Sequence, residues 1–142
     1  MTLRRVAASL GLCAYLAVAP LSAGAAHAAA ASSFSNPFLY GQCTWFAADV
    51  RRDIGADMWG DASNWVTAAH EAGLKTGEAP IQGSLVIYQP GVQGAGKTGH
   101  VAHVVWVAPD GQHFTVDEMN FPVPGIVDHR GSWAQQGVTF IY

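Results

Sequence analysis

The spacing of apolar residues changes near Gly73, and this change limits the folds that the chain can adopt. Before Gly73, apolar residues recur every three to four positions, as on one face of a helix. After it, β-branched and aromatic residues alternate with others in runs bounded by Gly, Pro and Asp, which is typical of strands. The predicted fold class is therefore α+β, with N-terminal helices packed on an antiparallel β-sheet.

The helical part of the sequence predicts two helices. The first covers residues 43–54 and ends at Gly55, which we expect to adopt a left-handed cap. The second follows an N-cap at Asp61 or Ser63 and ends at Gly73. Four strands are predicted after Gly73, at residues 84–88, 100–107, 112–120 and 138–142.

Residues 1–28 have the pattern of a secretory signal peptide. Arg4 and Arg5 precede an uncharged apolar run at 6–18, and small residues then end in an Ala-His-Ala motif. The segment predicts export, so that the protein is secreted or lies in the periplasm or cell envelope. Residues 29–37 are then a short lead-in, and residues 38–142 a single catalytic domain.

Charge and hydropathy exclude several partners. The chain has seven basic residues, two of them in the signal segment, against ten acidic residues. The scattered basic residues form no positive stripe, so nucleic acid is not an expected partner. No apolar run of membrane-spanning length follows the signal, and Cys13 follows the bulky Leu12, which argues against lipidation. We therefore expect no membrane anchor after signal removal, while the oligomeric state is not indicated.

Removal of the signal leaves Cys43 as the only thiol of the exported chain. A single cysteine in an oxidising compartment cannot form an internal disulfide, so it is either buried and inert or kept for its chemistry. At the start of a helix, unpaired backbone N–H groups and the helix dipole favour a thiolate and can hold an oxyanion. Cys43 also continues the apolar face of its helix, so both interpretations remain open.

The strands at 100–107 and 112–120 supply a base for this thiol if their register is right. A three-residue turn places His100 opposite Asn120 and on the same face as Glu118. A two-residue turn places His103 opposite Glu118 instead. The first register is favoured because it gathers one apolar face from Val104, Trp106, Phe114 and Val116.

In the favoured register, Glu118 or Asn120 accepts a hydrogen bond from the His100 imidazole and leaves the other ring nitrogen for Cys43. This is the logic of a nucleophile, a base and an orienting group. The alternative is that all three residues are polar strand ends that face water. Trp45 lies beside Cys43 but off its apolar stripe and is a candidate for lining a cleft, whereas Trp65 and Trp106 are expected in the core.

The histidines do not predict a metal site. His100 and His103 are three residues apart on a strand and therefore point to opposite faces, so they are not expected to share a metal ion. The remaining domain histidines, His70, His113 and His129, are expected at the surface. We expect no metal and no cofactor.

Four blocks of sequence, in this order and spacing, resemble the CHAP family of cysteine, histidine-dependent amidohydrolases/peptidases. The similarity extends from about residue 37 to residue 142, and the blocks are Tyr40-Gly41-Gln42-Cys43-Thr44-Trp45-Phe46-Ala47, Trp59-Gly60-Asp61-Ala62 with Trp65, Gly99-His100-Val101-Ala102, and Val116-Asp117-Glu118-Met119-Asn120-Phe121.

The resemblance implies a papain-like (NlpC-type) fold and cleavage of an amide bond in peptidoglycan. Position by position it implies Cys43 as nucleophile, His100 as base, and Glu118 and Asn120 as residues that orient the imidazole. It further implies oxyanion or supporting roles for Gln42 and Tyr40. Some members carry an acidic calcium loop near the nucleophile, but residues 34–42 contain no acidic residue, and residues 38–142 leave no room for a separate wall-binding domain.

The expected function is that of a secreted peptidoglycan hydrolase that acts through a Cys-His-Glu/Asn site and a thioacyl intermediate. The bond cut is either the N-acetylmuramoyl-L-alanine amide or a peptide bond of the stem or cross-bridge. The alternative is a module that binds the cell wall or a partner and retains the fold without turnover.

Overall fold

The computed structural model describes residues 34–142; the predicted signal segment 1–28 and residues 29–33 of the predicted lead-in lie outside them. The helices are α1 (Cys43–Val50) and α2 (Trp65–Glu71). The strands are β1 (Thr76–Gly77), β2 (Leu85–Tyr88), β3 (His100–Val107), β4 (His113–Met119), β5 (Val127–Trp133) and β6 (Val138–Ile141). Short 3₁₀ turns occupy Ala62–Asn64 and Val92–Gly94.

The six strands form one antiparallel sheet in the order β1-β6-β2-β3-β4-β5. The helices precede the sheet in sequence and pack against it, which confirms the predicted α+β class. Among residues 34–142, no helix combines the length and the hydropathy needed to cross a membrane.

Apolar side chains form two core clusters, one on each side of the sheet. Strand β2 is buried along its whole length because its alternate residues serve both clusters. On the helix side, Leu85 and Ile87 meet the helices, where Trp65 is fully buried as predicted. On the other side, Val86 and Tyr88 join Ala102, Val104, Phe114, Val116 and Phe140.

Helix α1 ends at Val50, one turn earlier than predicted, and residues 51–57 form turns. Gly55 is not in the left-handed region and caps nothing. Its lack of a side chain has another reason: a Cβ atom there would lie 2.6 Å from the carbonyl oxygen of Ala48. The glycine therefore permits close packing of the turn on the helix.

The second helix begins with a 3₁₀ turn, and both of its predicted ends are correct. Asp61 is the N-cap of that turn, and its backbone N–H donates to Oδ1 of Asn64 at 3.0 Å. Gly73 follows α2 with φ +73°, the left-handed conformation expected of a cap.

Strands β3 and β4 adopt the favoured register next to the site. Val104 lies opposite Val116, and His103 lies opposite Asp117 rather than Glu118. A β-bulge between Val104 and Trp106 then shifts the pairing by one residue towards the turn. The bulge turns Trp106 outwards, where it is 52% exposed, so its predicted place in the core is wrong.

Strands β1 and β5 were not predicted. β5 reads VDHRGSW, and five of its seven residues are exposed, so it lacks the alternation of a half-buried strand. It nevertheless pairs along the whole of β4 and forms one edge of the sheet.

Candidate active site

A cavity of about 340 Å³ opens where the start of α1, the start of β3 and the end of β4 meet. One wall consists largely of the glycine-rich connection between β2 and β3, and the opposite wall follows β4. The lining residues are Gln42, Cys43, Gly94, Gly96, Thr98, Gly99, His100, Asn120, Phe121 and Pro122. The structure therefore brings four of the predicted site residues to a single cavity.

Cys43 is the first residue of α1, and Gln42 precedes it as an N-cap in extended conformation. The first N–H groups of a helix have no partner within the helix and point out from its start. Burial raises the pKa of the Cys43 thiol, but a hydrogen bond and charge interaction with His100 and contacts with the backbone N–H groups of Val101 and Thr44 outweigh it. The net result is a pKa below the usual 9.0, which favours the thiolate.

His100 is the first residue of β3 and is buried, with 4% of its surface exposed. Its Nε2 lies 2.8 Å from Oε2 of Glu118, which leaves Nδ1 for Cys43. Burial lowers the pKa of this imidazole, but the contacts with Cys43 and Glu118 raise it to about 8. A low thiol pKa and a high imidazole pKa together favour a thiolate–imidazolium pair.

Two aromatic rings confine the imidazole. The Phe121 ring centroid lies 5.1 Å from that of His100, and the Tyr88 ring centroid lies 6.1 Å away. Tyr88 is also the cross-strand neighbour of His100 in the β2–β3 ladder. The rings restrict the imidazole and exclude water from its bond with Glu118.

Glu118 is fully buried and lies behind His100, outside the lining of the cavity. Its second carboxylate oxygen, Oε1, accepts a hydrogen bond from Nε of Arg130 in β5. Arg130 was missed in the sequence. Two observations could have identified it. Arg130 is the only arginine or lysine after Lys97, and a buried carboxylate requires a cation or several hydrogen bonds.

Asn120 follows β4 in the left-handed conformation, with φ +61°. Its Nδ2 donates to Oε1 of Gln42 at 2.8 Å, so this amide contacts the residue before Cys43. Of the two proposed acceptors for the His100 imidazole, Glu118 makes the hydrogen bond.

Tyr40 and Trp45 form an aromatic pair beside the start of α1 and do not line the cavity. Their rings pack edge to face with centroids 4.7 Å apart, and Tyr40 is 64% exposed. Successive helical residues are separated by about 100°, so position 45 points away from position 43. The roles of Trp45 in lining a cleft and of Tyr40 in supporting the oxyanion site stay predictions.

Within residues 34–142, no group of three or more His, Cys, Asp or Glu side chains is arranged to hold a metal ion. His103 lies on the face opposite His100, where burial lowers its pKa. The other three histidines form exposed hydrogen bonds, His70 with Thr76, His113 with Asp110 and His129 with Asp117.

A thiol at a helix start, an imidazole on the adjoining sheet and a carboxylate behind it define the papain-like class of cysteine hydrolases. The chain belongs to the CHAP family within this class, since the model of the CHAP domain matches residues 33–120. This confirms the family and the papain-like fold that the sequence motifs indicated.

Several known proteins are similar to this chain. Probable autolysin LDP of Staphylococcus aureus is 42% identical over 89 residues, which cover 61% of this chain and 30% of the relative. Staphylococcal secretory antigen ssaA2 of the same species is 38% identical over 129 residues, covering 88% and 46%.

A solved structure, an N-acetylmuramoyl-L-alanine amidase from Staphylococcus aureus, superposes with a TM-score of 0.67 at 30% identity and covers 78% of this chain and 33% of that one. The chain therefore spans less than half the length of each of these three relatives.

Proposed function

We propose that this protein is a secreted cysteine hydrolase that cleaves an amide bond of peptidoglycan. The observation that carries the proposal is the hydrogen-bonded series Cys43, His100 and Glu118 at one cavity of a CHAP fold. The autolysin and amidase names of similar proteins support peptidoglycan as the substrate. The signal-like segment at 1–28 and the similarity to secretory antigens support export.

The reaction begins with attack of the Cys43 thiolate on the carbonyl carbon of the scissile amide. The oxyanion that forms is held by the backbone N–H of Cys43 and by the side-chain amide of Gln42, whose own carbonyl oxygen is engaged by Asn120. The His100 imidazolium gives its proton to the leaving amine, and a thioacyl enzyme remains.

Water completes the turnover. Neutral His100 takes a proton from the attacking water, the thioester bond breaks, and the carboxylate product leaves with Cys43 again a thiolate. Glu118 stabilises the imidazolium in both half-reactions, since its carboxylate accepts the Nε2 hydrogen bond. The N-acetylmuramoyl-L-alanine amide is favoured as the bond cut because of the similarity to the solved amidase.

The test is release of soluble fragments from purified peptidoglycan by the exported chain and by the Cys43→Ala variant. We expect at least a 10³-fold slower release by the variant, because it lacks the nucleophile. His113→Gln, which changes an exposed histidine far from the cavity lining, serves as a matched control. Equal release by the parent and Cys43→Ala would contradict the proposal, and binding without release by either would favour a wall-binding module.

Mass spectrometry of the fragments identifies the bond. An amidase frees intact stem peptides that begin with L-alanine, whereas an endopeptidase leaves at least part of each stem on the glycan. Fragments of the second kind would replace the amidase assignment by a stem or cross-bridge endopeptidase.

A further inference from the structure

Among residues 34–142, Arg130 is the one arginine or lysine that contacts Glu118, the carboxylate behind His100. It lies in β5, outside the cavity lining, and its side chain is 19% exposed. Nε donates to Oε1 of Glu118, while the other carboxylate oxygen of Glu118 accepts from His100. The guanidinium and the imidazole thus each hold one oxygen of the buried carboxylate.

The guanidinium also contacts both rings that confine the imidazole. Its central carbon lies 4.4 Å from the Phe121 ring centroid and 4.9 Å from that of Tyr88. Such cation–π contacts favour arginine because its planar group can stack on a ring while it donates hydrogen bonds from its edge. Arg130 therefore connects the position of Glu118 to the position of the two rings.

A chain of hydrogen bonds fixes the far side of this cluster. The Tyr88 hydroxyl donates to Oγ of Ser132 at 2.8 Å, and that hydroxyl donates to Oε1 of Gln93 at 2.7 Å. Burial raises the pKa of Tyr88 to about 12, so the phenol remains a donor. Gln93 belongs to the glycine-rich connection, and its Nε2 also donates to the Trp133 carbonyl at 2.7 Å.

From these contacts we propose that Arg130 is a positioning residue of the Cys43 site, which holds the Glu118 carboxylate in place behind His100. A fully buried carboxylate without a cation either takes up a proton or moves towards solvent. In either case the imidazolium loses support, and the thiolate paired with it becomes less stable. The catalytic role of the pair rests on the proposed function, but the effect on the thiol does not.

Each element that packs around the imidazole contributes one titratable or charged side chain. They are Cys43 from α1, Tyr88 from β2, His100 from β3, Glu118 from β4 and Arg130 from β5. Asp128 lies opposite Glu118 in the β4–β5 ladder but is exposed to solvent, so its charge is screened. Removal of the arginine leaves Glu118 without the partner that holds it behind His100, so the imidazolium loses its acceptor and the pH at which the thiolate forms rises.

The experiment measures the rate of Cys43 alkylation by iodoacetamide against pH, which requires no peptidoglycan. In Arg130→Gln we expect the acidic limb of the profile to move up by about one pH unit, so that alkylation at low pH slows about tenfold. Arg130→Lys keeps the charge but loses the planar group that stacks on both rings, so its shift should be smaller than that of Arg130→Gln. Arg52→Gln is the matched control, because Arg52 also contacts a carboxylate and a ring, Asp49 and Phe34, but at an exposed position.

A double variant tests whether Arg130 acts through Glu118. In the Glu118→Gln background the substitution Arg130→Gln should cause no further shift. A parental acidic limb in Arg130→Gln, an equal shift in Arg130→Lys, or an undiminished shift in the Glu118→Gln background would each overturn the proposal. If Arg130→Gln does not fold, Arg130→Met, which keeps an unbranched apolar stem between the rings, replaces it.

The outcomes separate this proposal from the proposed function. A parent that alkylates at low pH but releases no peptidoglycan fragments contradicts the function and leaves the role of Arg130 intact. A parent that hydrolyses peptidoglycan while Arg130→Gln keeps a parental alkylation profile contradicts only the role of Arg130.

Discussion

Two adjacent carboxylates of β4 make similar hydrogen bonds on opposite sides of the sheet. Oε2 of Glu118 lies 2.8 Å from Nε2 of His100, with side chains 0% and 5% exposed. Oδ1 of Asp117 lies 2.6 Å from Nδ1 of His129, with side chains 38% and 63% exposed. The bond lengths differ little, so the surroundings decide what each pair can do.

Exposure to water explains most of the difference between the two pairs. Two unit charges 4 Å apart interact by about 1 kcal/mol in bulk water and about 4 kcal/mol at the effective dielectric constant of a protein surface. The exposed pair is therefore weakened by solvent and salt, whereas the buried pair can determine the protonation of His100. Strand alternation alone separates a pair that can perform chemistry from a pair of surface residues.

We expect the two carboxylates to differ most in their effect on the rate of peptidoglycan hydrolysis. Glu118→Gln should lower kcat about 10³-fold, because an amide cannot stabilise the imidazolium as a carboxylate does. Asp117→Asn, one residue away on the other face, should leave kcat within about twofold. Peptidoglycan release by both purified variants checks this, and comparable losses would show that burial does not distinguish the pairs.

Two glycines with positive φ compare the packing next to the buried pair with that of an exposed turn. Gly99→Ala should lower the free energy of unfolding by about 3 kcal/mol, since φ is +75° and the new Cβ would lie 2.8 Å from the Tyr88 carbonyl oxygen. Gly111→Ala in the β3–β4 turn should cost about 1 kcal/mol, because φ is +68° but nothing lies within 4 Å. Urea unfolding measures both, and equal costs would contradict the tighter packing before His100.

The pH dependence of hydrolysis should reflect only the buried pair. His100 is charged below its pKa of about 8 and neutral above it, so it can no longer protonate the leaving amine at higher pH. We expect kcat to fall about tenfold per pH unit above this value. A pH–rate profile of the parent and of His129→Gln checks the assignment, since the two alkaline limbs should coincide.

The smallest effect is expected on stability at the exposed pair. His129→Gln should change the free energy of unfolding by no more than about 0.5 kcal/mol, because exposed ion pairs contribute little. Thermal unfolding at low and moderate salt provides the measurement. A larger, salt-independent loss would mean that the Asp117–His129 contact is not simply a solvated surface pair.

The sequence was sufficient to predict the elements that carry the Cys43, His100 and Glu118 side chains. Helix start, strand alternation and turn length are local properties, and together they set which residues share a face. The family motifs then selected His100 over His103, and the register next to the site agrees with that choice.

Other features depended on contacts distant in sequence. β5 is an edge strand with mostly exposed residues, so nothing in its pattern predicted it, and Arg130 was missed with it. The outward turn of Trp106 comes from a bulge that a simple alternation cannot anticipate. Likewise, Gly55 has the residue type and the position expected of a helix cap. Its role is instead to let the turn pack closely on Ala48, a contact that only the folded structure reveals.

The strand order has a consequence for how the domain is made. β6 lies between β1 and β2, although it follows all other strands in the chain. β1 pairs only with β6, so neither it nor one edge of β2 can complete its backbone hydrogen bonds until residues 138–141 have been synthesised. Such non-local pairing is intrinsically slow. The sheet is therefore completed only when β6 has paired with both β1 and β2, so the last strand in the sequence sets the final step of folding.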